Sequence, residues 1–408
     1  MNKNINKTNN LQNIAITSDW AKLPLFDRSK WQRVKFGDVV ANVNDTERDP
    51  QGAGIERFIG LEHLEPGSLH IRSWGNVADG TTFTRRCSLG QVLFGKRRAY
   101  QRKVAVAEFD ALVSGDIYVF TPKDKRLLPE LLPFLCLSER FFKFAVETSA
   151  GSLSPRTNWS HLAEFEFALP SIDQQRRIAE IIWALDEAKQ SWITTLNSAK
   201  TALTEFSASS YRNVNVVDTT KGIQTARLGD LFEIRTGGTP SRGNSEYWGG
   251  DIPWIKTGEI NYQDIYDSEE KITELGTENS AARIFSKNSI LMALYGQGPT
   301  LGRVAHLRIN ASVNQACAVI FPKSGYNMRY LYHYLVGQYS NIRRLARGAS
   351  QPNINALIVK DFIIPIPNDE EQSSVATALD DYDHTLSHIE QVISATSTLL
   401  VKFTNDFT

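Results

Sequence analysis

The sequence lacks several features that would assign it to a particular class of protein. It has three cysteines, Cys87, Cys136 and Cys317, and none stands in a Cys-x-x-Cys pair. This argues against a disulfide framework or a zinc knuckle and fits a reducing cytosol. No apolar run approaches the roughly 20 residues that a membrane helix needs. The start of the chain is rich in Asn and Lys, so we expect 1–19 to be a disordered tail and not a secretory signal. We therefore expect a cytoplasmic protein that does not contact a membrane.

Net charge is also missing, because 45 Lys and Arg balance 45 Asp and Glu. A basic balance is expected of proteins that bind nucleic acid, so the total counts mildly against that class. The distribution of charge along the chain favours nucleic-acid binding, because residues 85–103 and 279–360 contain several Arg and Lys but no Asp or Glu. Binding to a polyanion would explain why these two segments lack carboxylates, which would repel it. The alternative is that both segments are ordinary solvent-exposed surfaces.

One unit is written twice along the chain. The motif at 36–39 returns at 228–231, and Val104-Ala105 returns as Val304-Ala305. The polar segment 151–158 returns at 348–355. Each match is weak alone, but their shared order predicts a duplicated domain, and the period is too long for a solenoid.

Each copy has a globular part followed by a long helix. The globular parts mix short strand-like runs with turns and one helix each, near 128–147 and 328–345, which predicts a mixed α/β domain. The predicted boundaries are a first globular domain at 20–170, a first helix at 171–210, a linker at 211–225, a second globular domain at 226–367 and a second helix at 368–408.

Both long helices carry a heptad pattern that is typical of a coiled coil. The a positions are Ile182, Lys189, Leu196 and Leu203 in the first helix and Leu379, Leu386, Ile393 and Leu400 in the second. The d positions are Leu185, Trp192, Ala199 and Phe206, then Tyr382, Ile389, Thr396 and Phe403. A parallel pair would need the linker to return along about 55 Å of helix, whereas a linker of this size reaches about 50 Å. We therefore predict two pseudo-symmetric globular domains separated by two long antiparallel coiled-coil helices.

A rod between two basic domains suits a protein that reads two short DNA elements across a fixed gap. Half-sites one helical turn apart lie about 34–36 Å from each other. A scaffold for protein partners could use the same rod, but it would not explain the acid-free spans.

Loops are the predicted reading elements. The loop 95–103 offers forked Arg donors that match guanine edges, and its counterpart 295–303 has glycines for close approach and a Gln suited to adenine. Polar turns near 154–158 and 351–355 supply further donors. The predicted DNA-binding residues are Lys96, Arg97, Arg98, Tyr100, Gln101, Arg102, Lys103, Ser154, Arg156, Asn158, Thr239, Ser241, Tyr295, Gln297, Thr300, Arg303, Arg347, Gln351, Asn353 and Asn355. Ordinary loop capping is the alternative for the polar turns. The run 237–241 could be a phosphate nest, and a plain turn is the alternative there.

Enzymatic motifs are weak or absent in the sequence. The run from Gly90 to Lys96 nearly spells a phosphate loop, but Arg97 stands where Ser or Thr should ligate magnesium. Asp380, His384 and His388 have a spacing that could hold zinc, yet their outer heptad positions predict solvated side chains. We predict no catalytic residue, no metal-binding residue and no cofactor on this chain.

From about residue 20 onward the chain resembles the specificity subunit of type I restriction–modification systems. In the first copy, the segments 95–106, 114–119 and 151–158 carry the resemblance. In the second copy, 237–241 and 348–355 carry it, and both helices are entered by similar turns ending in Gln, at 170–175 and 367–372.

The resemblance implies a function and a set of partners. The globular parts would be target recognition domains, each reading one half of a split site on double-stranded DNA, and the helices would be the spacer regions. Such subunits recruit two adenine-N6 methyltransferase subunits, which carry S-adenosylmethionine, and a restriction/translocase subunit. Trp183, at an outer heptad position, is the candidate contact for a methyltransferase subunit, with packing on its own recognition domain as the alternative. A related system with a fused methylase–nuclease, or a protein scaffold without a DNA role, remains open.

Overall fold

The computed structural model describes residues 25, 27–215, 224–296, 298–345 and 354–407. The chain divides into two compact units. Unit 1 is Met1–Thr195 together with Ile389–Thr408, and unit 2 is Leu196–His388. Each unit combines several sheets with helices, as the predicted mixed α/β class requires. Among the helices of the described residues, none is both long and apolar enough to cross a membrane.

The strands of unit 1 form two four-stranded sheets and two small pairs. They are β1 (Gln32–Lys35), β2 (Val40–Val43), β3 (Arg57–Ile59), β4 (Gly75–Asn76), β5 (Arg85–Cys87), β6 (Val92–Gly95), β7 (Val104–Val106), β8 (Ala111–Val113), β9 (Ile117–Pro122), β10 (Ser149–Ala150), β11 (Arg156–Thr157) and β12 (Glu166–Leu169). One sheet is antiparallel in the order β2-β9-β6-β7. The other has the order β4-β3-β8-β5, with β3 and β8 parallel. The antiparallel pair β1–β12 joins the entry and the exit of the domain.

Short helices complete the globular domain of unit 1; we call the globular domain of each unit its recognition domain, after the role that the sequence predicts. They are α1 (Phe36–Val39), α2 (Leu132–Leu137), α3 (Glu139–Glu147) and α4 (Trp159–Leu162). The single helix predicted near 128–147 is therefore two. The helix breaks at Ser138, whose backbone is extended and whose side chain caps α3 by accepting from the Phe141 amide. Serine competes with helix continuation in this way because its hydroxyl can bond the nearby backbone.

Unit 2 repeats this topology. Its strands are β13 (Gln224–Arg227), β14 (Ile234–Thr236), β15 (Trp248–Ile255), β16 (Asp264–Ile265), β17 (Glu270–Ile272), β18 (Ile290–Ala293), β19 (Val304–Leu307), β20 (Ser312–Val313), β21 (Cys317–Ile320) and β22 (Ile363–Ile366). The sheet order β14-β21-β18-β19 matches β2-β9-β6-β7, with β16 added at the edge. The three-stranded sheet β17-β15-β20 contains a parallel pair, and β13 pairs with β22 as β1 pairs with β12. Two sheets with the same strand order bear out the predicted duplication.

The short helices of unit 2 are α6 (Leu228–Leu231), α7 (Glu274–Glu278), α8 (Met328–Gly337), α9 (Tyr339–Leu345) and α10 (Ala356–Asp361). The helix predicted near 328–345 is likewise divided, at Gln338.

Two long helices follow the recognition domains. They are α5 (Ile172–Asn215) and α11 (Asp369–Asp406). Helix α5 continues beyond residue 210, so the first part of the predicted linker 211–225 is helical. Every predicted heptad position is buried or half-buried except Trp192, whose side chain is 38% exposed. The heptad pattern therefore identified the buried stripe of both helices, with one exception.

Each unit by itself contains one end of the antiparallel helix pair. In unit 1, Ile178 and Ile182 near the start of α5 share a core with Leu400 and Phe403 near the end of α11. In unit 2, the ring of Phe206 near the end of α5 lies 5.8 Å from that of Tyr382 on α11. The start of one helix thus meets the end of the other, as predicted.

The three cysteines are free thiols, and all three are buried. Burial raises the pKa of each thiol, to about 12 for Cys87. Buried neutral thiols pack as small apolar side chains, in agreement with the prediction that the chain has no disulfide framework.

A buried glutamine fastens each long helix to its recognition domain. Gln175 on α5 donates to the carbonyl of Pro170 (2.9 Å) and accepts from the amide of Leu128 (2.9 Å). Gln372 on α11 donates to the carbonyl of Pro367 (2.9 Å) and accepts from the amide of Asn327 (2.7 Å). Both side chains are almost fully buried, so their amide groups depend on these backbone partners for hydrogen bonds.

A charged contact also joins α5 to the recognition domain of unit 1. His70 Nε2 lies 2.7 Å from a carboxylate oxygen of Asp186, a buried residue of α5, and its Nδ1 lies 3.1 Å from Glu108. The hydrogen bond with Asp186 is the main reason why the pKa of His70 is raised. Two carboxylates stabilise the imidazolium, although partial burial opposes them.

In unit 2 the corresponding contact uses arginine. Arg329 on α8 bonds Asp264 (2.8 Å) and also Asp380 on α11, and Arg308 binds Asp264 at 2.9 Å. His333 Nε2 lies 2.8 Å from the same Asp380 carboxylate. Both units therefore join helix and domain through charged groups, but with different residues.

The prediction that Asp380 is a solvated surface residue is wrong. Its outer heptad position faces the recognition domain of its own unit, because Arg329 and His333 lie there. His384 and His388 are exposed, as predicted. Ligand atoms of His333, Asp380 and Asp383 lie within 4.8 Å of one another. Arg329 already pairs with Asp380 of this cluster, and the absence of a bound metal stays a prediction.

The glutamine contacts predict a large loss of stability in one variant. Replacing Gln175 with Leu leaves the Leu128 amide and the Pro170 carbonyl buried without partners. Each such group costs about 1–3 kcal/mol, so the free energy of unfolding of unit 1 should fall by roughly 2–6 kcal/mol. Urea unfolding followed by tryptophan fluorescence measures it. Gln51→Leu, in an exposed turn, is the control and should stay within about 0.5 kcal/mol of the natural protein; equal stability of both variants would contradict the proposed role.

The His70 contact predicts a pH dependence of stability. A histidine whose pKa is raised on folding stabilises the fold below its unfolded pKa of about 6.5, and this contribution disappears as the pH rises through the raised value. The natural protein should therefore lose stability relative to His70→Gln as the pH rises from about 6.5 through the raised pKa of His70. Thermal unfolding midpoints of both proteins across this range test it. A constant difference between the two curves would show that His70 does not titrate in this way.

Candidate nucleic-acid interface

The two polar loops predicted in unit 1 lie side by side. Arg97 and Arg156 form an antiparallel backbone bridge. The amide of Arg98 donates to the carbonyl of Pro155 (2.7 Å), and the amide of Thr157 donates to the carbonyl of Lys96 (3.0 Å). Segments that are about 60 residues apart in sequence thus form one surface element, which we call the reading loops (95–103 and 151–158).

Asp116 orients two arginines of the reading loops. Arg156 Nε donates to one of its carboxylate oxygens at 3.0 Å, and Arg97 Nη1 lies 3.4 Å from the other. Arg97 Nε also donates to the hydroxyl of Ser154 at 2.6 Å. Charge-assisted bonds of this kind restrict the guanidinium planes. The two arginines therefore present fixed donors and not freely rotating side chains.

Other predicted residues of this loop differ in their surroundings. The ammonium of Lys96 lies over the ring of Tyr118, 4.9 Å from its centroid, and burial lowers the pKa of Lys96. Arg102 pairs with Glu139, and Lys103 donates to the carbonyl of Leu61 (2.6 Å).

The remaining predicted residues of the reading loops are more accessible. The side chain of Tyr100 is 55% exposed, and Asn158 is exposed and makes no side-chain capping bond. Gln101 is half-buried. Tyr100 and Asn158 are therefore available to a ligand.

Unit 2 brings the corresponding segments together. The amide of Ile354 donates to the carbonyl of Leu294 (3.1 Å), which places Ile354, just before Asn355, beside the loop that begins at Tyr295. Tyr295 is 42% exposed and Thr300 is half-buried. The loop is anchored on α9, where the hydroxyl of Tyr339 donates to the carbonyl of Pro299 (2.6 Å).

Two further predicted residues of unit 2 have partners within the domain. Arg303 donates to the side chain of Asn261 (2.7 Å), and its guanidinium lies 5.6 Å from the ring centroid of Tyr262. The side chain of Asn355 accepts from the amide of Ile358 (2.9 Å), so it caps α10 as the capping alternative proposed. Four predicted residues lie outside the residues that the structure describes: Gln297, Arg347, Gln351 and Asn353.

The phosphate nest suggested for 237–241 is wrong at its two glycines. The amide of Gly237 donates to the carbonyl of Cys317 and that of Gly238 to the carbonyl of Val313, so neither is free for a phosphate. A Cβ at either position would lie about 2 Å from backbone atoms, at 2.0 Å from the Val313 oxygen for Gly237, so close packing requires glycine here. Thr239 bonds Gln315, and the side chain of Ser241 is exposed; both stay predicted contacts.

The span 279–360 contains no Asp or Glu, but in the folded structure carboxylates from other segments lie beside its arginines. Arg308 and Arg329 pair with Asp264, which precedes the span, and Arg329 also pairs with Asp380, which follows it. These cations stabilise the domain and are not all available to a polyanion. The interpretation of the whole span as a binding surface is therefore too broad.

Trp183 contacts its own recognition domain. Its Nε1 donates to the carbonyl of Glu130 (3.0 Å), and its ring lies 5.0 Å from that of Phe134. The packing alternative therefore describes this side chain, which is half-buried. Contact with a partner stays a prediction.

Sequence reasoning missed Asp116 as a functional residue. A carboxylate counted against DNA contact, although its position beside two arginines makes it an orienting group. The available signal was the segment 114–119, which carried the family resemblance. The assembled site offers forked cationic donors at an exposed surface, a set suited to phosphates and base edges.

Comparisons with known proteins agree with this interpretation. A family profile, the type I restriction modification DNA specificity domain, matches residues 72–199 and 220–395, which is more than half of the chain. The MjaIX specificity subunit of Methanocaldococcus jannaschii is 33% identical over 180 residues, covering 42% of this chain and 40% of the relative. The EcoR124I/EcoR124II specificity subunit of Escherichia coli is 30% identical over 167 residues, covering 40% of this chain and 41% of that subunit. The chain thus spans about two fifths of the length of these two relatives.

Weaker similarity extends along nearly the whole chain. The MjaVIII specificity subunit of M. jannaschii is 19% identical over 387 residues, covering 87% of this chain and 86% of that subunit.

A solved structure supports the fold. The S subunit of a type I restriction–modification system from M. genitalium has a TM-score of 0.61 at 12% identity, and the match covers 92% of this chain and 96% of that one. At this identity the likeness concerns the fold alone. The profile matches both copies of the duplicated unit, and its description names DNA specificity. The chain belongs to the family of type I restriction–modification DNA specificity domains.

Proposed function

We propose that this chain is the non-catalytic specificity subunit of a type I restriction–modification complex in the cytoplasm. Each recognition domain binds one half of a bipartite site on double-stranded DNA, and the long helices set the gap between the halves. Two adenine-N6 methyltransferase subunits, which carry S-adenosylmethionine, perform the methylation, and a restriction/translocase subunit joins the same complex.

The joined reading loops carry this proposal. Asp116 holds Arg97 and Arg156 at the surface of unit 1, next to the exposed Tyr100. In unit 2 the bond from Ile354 to Leu294 is the counterpart of the bond from Thr157 to Lys96 in unit 1. Two copies of one surface element in one chain suit two half-sites better than one continuous site. A protein scaffold would have no use for the fixed arginine donors.

The long helices support the proposed spacing role. Helix α5 has 44 residues, which corresponds to about 66 Å at 1.5 Å per residue. Its buried stripe follows the predicted heptads, so a whole added heptad would keep the pairing. Lengthening the helices therefore changes one quantity, the distance along the rod.

Mapping methylated adenines in the host genome tests the proposal. Deleting the chain should abolish methylation at a bipartite motif. One heptad inserted after Thr195 and another after His388 add about 10 Å of rise, which should lengthen the gap by about 3 base pairs and leave both half-sites unchanged. A four-residue insertion at the same points is the control, since it shifts the heptad register. Altered half-sites with an unchanged gap would refute the spacing role, and methylation that persists without the chain would refute the function.

Asp116 provides a test at the reading loops themselves. Asp116→Asn removes one negative charge and releases both arginines, so binding to non-cognate DNA should rise while discrimination falls. We expect the ratio of cognate to non-cognate affinity to drop by about tenfold, or ~1.4 kcal/mol. Competition titrations with the methyltransferase subunits present, at several salt concentrations, measure this ratio.

A matched control separates orientation from charge. Asp110→Asn makes the same charge change at an acid that pairs with Arg86 and lies outside the reading loops. It should leave the ratio unchanged. If both variants changed the ratio equally, general electrostatics and not orientation would explain the effect. Co-purification from the host distinguishes separate methyltransferase subunits from a fused methylase–nuclease.

A further inference from the structure

We propose that Arg98 reads a guanine in the half-site bound by the first recognition domain. This inference rests on the proposed function and adds a base assignment to it. It comes from comparing the corresponding loop in the two copies.

The loop that contains Arg98 has left-handed residues in both units, although it is two residues longer in unit 2, where it joins Ala293 to Val304, than in unit 1, where it joins Gly95 to Val104. Arg98 and Arg102 have φ values of 55° and 56°, in the left-handed region. At an offset of 200 residues, the offset that relates Val104 to Val304, the positions are Gly298 and Gly302, with φ values of 66° and 81°. Left-handed backbone is costly for residues with a Cβ and nearly free for glycine. The first copy therefore keeps arginine at two positions where the turn favours glycine.

The two arginines differ in what their side chains do. The guanidinium of Arg102 pairs with Glu139 and lies 5.3 Å from the ring centroid of Phe142, so a structural role accounts for it. Arg98 is exposed, and within the described part of the chain its guanidinium makes no hydrogen bond or ion pair. Internal contacts therefore do not explain why position 98 is arginine.

Glycine at position 98 would keep every bond that the structure shows for this residue. The amide donates to the carbonyl of Pro155 (2.7 Å), and the carbonyl accepts from the amide of Gln101 (2.8 Å). Both are backbone groups. What arginine adds is a free guanidinium on a backbone that is fixed on both sides.

A guanidinium in this setting matches one base edge best. Its donors form a rigid fork, and the commonest specific contact of arginine in DNA complexes is the bidentate bond to O6 and N7 of guanine. Arg97 and Arg156, held by Asp116 beside it, supply charge for the phosphates. Arg98 thus recognises a base, whereas Arg97 and Arg156 position the DNA backbone.

The test uses the complex reconstituted with its methyltransferase subunits and a library of DNA duplexes randomised in both half-sites. Arg98→Gly should lose the preference for guanine at one position of one half-site, by about 5- to 150-fold. All other positions should keep their preferences. The midpoint of thermal unfolding should not fall, whereas it would fall if Arg98 were a structural residue.

Two companion variants complete the experiment. Arg98→Lys keeps the charge but not the fork, so the guanine preference should fall between those of the natural protein and Arg98→Gly, because an ammonium can still donate to O6 or N7 without the planar geometry. Lys125→Ala, at an exposed lysine of the same unit, controls for loss of a positive charge and should preserve the preference.

Several outcomes would overturn the assignment. Unchanged preferences in Arg98→Gly would do so, and so would weaker methylation of all sequences alike, since that would indicate a phosphate contact. Full preference retained in Arg98→Lys would also count against the fork. A natural complex that methylates no bipartite motif would instead refute the proposed function, so the two failures are distinguishable.

Discussion

The buried side-chain amides of Gln175 and Gln372 fix each recognition domain to the start of the long helix that follows it. Each satisfies a backbone amide and a backbone carbonyl from a side chain that is itself almost fully buried. Because these bonds are buried, breaking one costs more than forming it contributes, so the helix and the domain separate only at high free energy. A protein that reads DNA at a set spacing depends on this rigidity.

The same fold accepts different charged groups around these junctions. His70 with two carboxylates stands in unit 1, whereas Asp264 with two arginines stands in unit 2. The charged residues at this contact differ between the two units in type and in sign. Both copies nevertheless retain a charged contact between the long helix and the recognition domain. The reading loops show the same division, since both copies have left-handed residues before the following strand, with arginine in one copy and glycine in the other. The two copies thus share these backbone features, and they differ in their side chains.

Much of this architecture could be predicted from the sequence because its signals are periodic or repeated. The heptads marked the buried stripe of both helices, and the repeat offsets marked the duplication. The prediction of burial was wrong at Trp192 because a heptad position shows which helix face a residue lies on but not whether a partner covers that face. The prediction of a solvated side chain was wrong at Asp380 because a residue outside the heptad seam can face a recognition domain.

The site was harder to predict than the fold. Sequence placed Arg97 and Arg156 on separate loops, and only the backbone bridge between them reveals one surface. Charge runs misled at Arg308 and Arg329, because their partners come from distant segments. Nothing in the sequence of the first copy indicates the positive φ values at Arg98 and Arg102. These values become interpretable once the two positions are aligned with Gly298 and Gly302 of the second copy.

The burial of all three thiols has a practical consequence. Cys87, Cys136 and Cys317 are inaccessible and, with raised pKa values, poorly nucleophilic. A cysteine introduced at an exposed position would therefore react with a maleimide or a nitroxide reagent in preference to the native ones. The natural chain can be labelled at chosen pairs of surface points without first removing its own cysteines, which opens both recognition domains to distance measurements in solution.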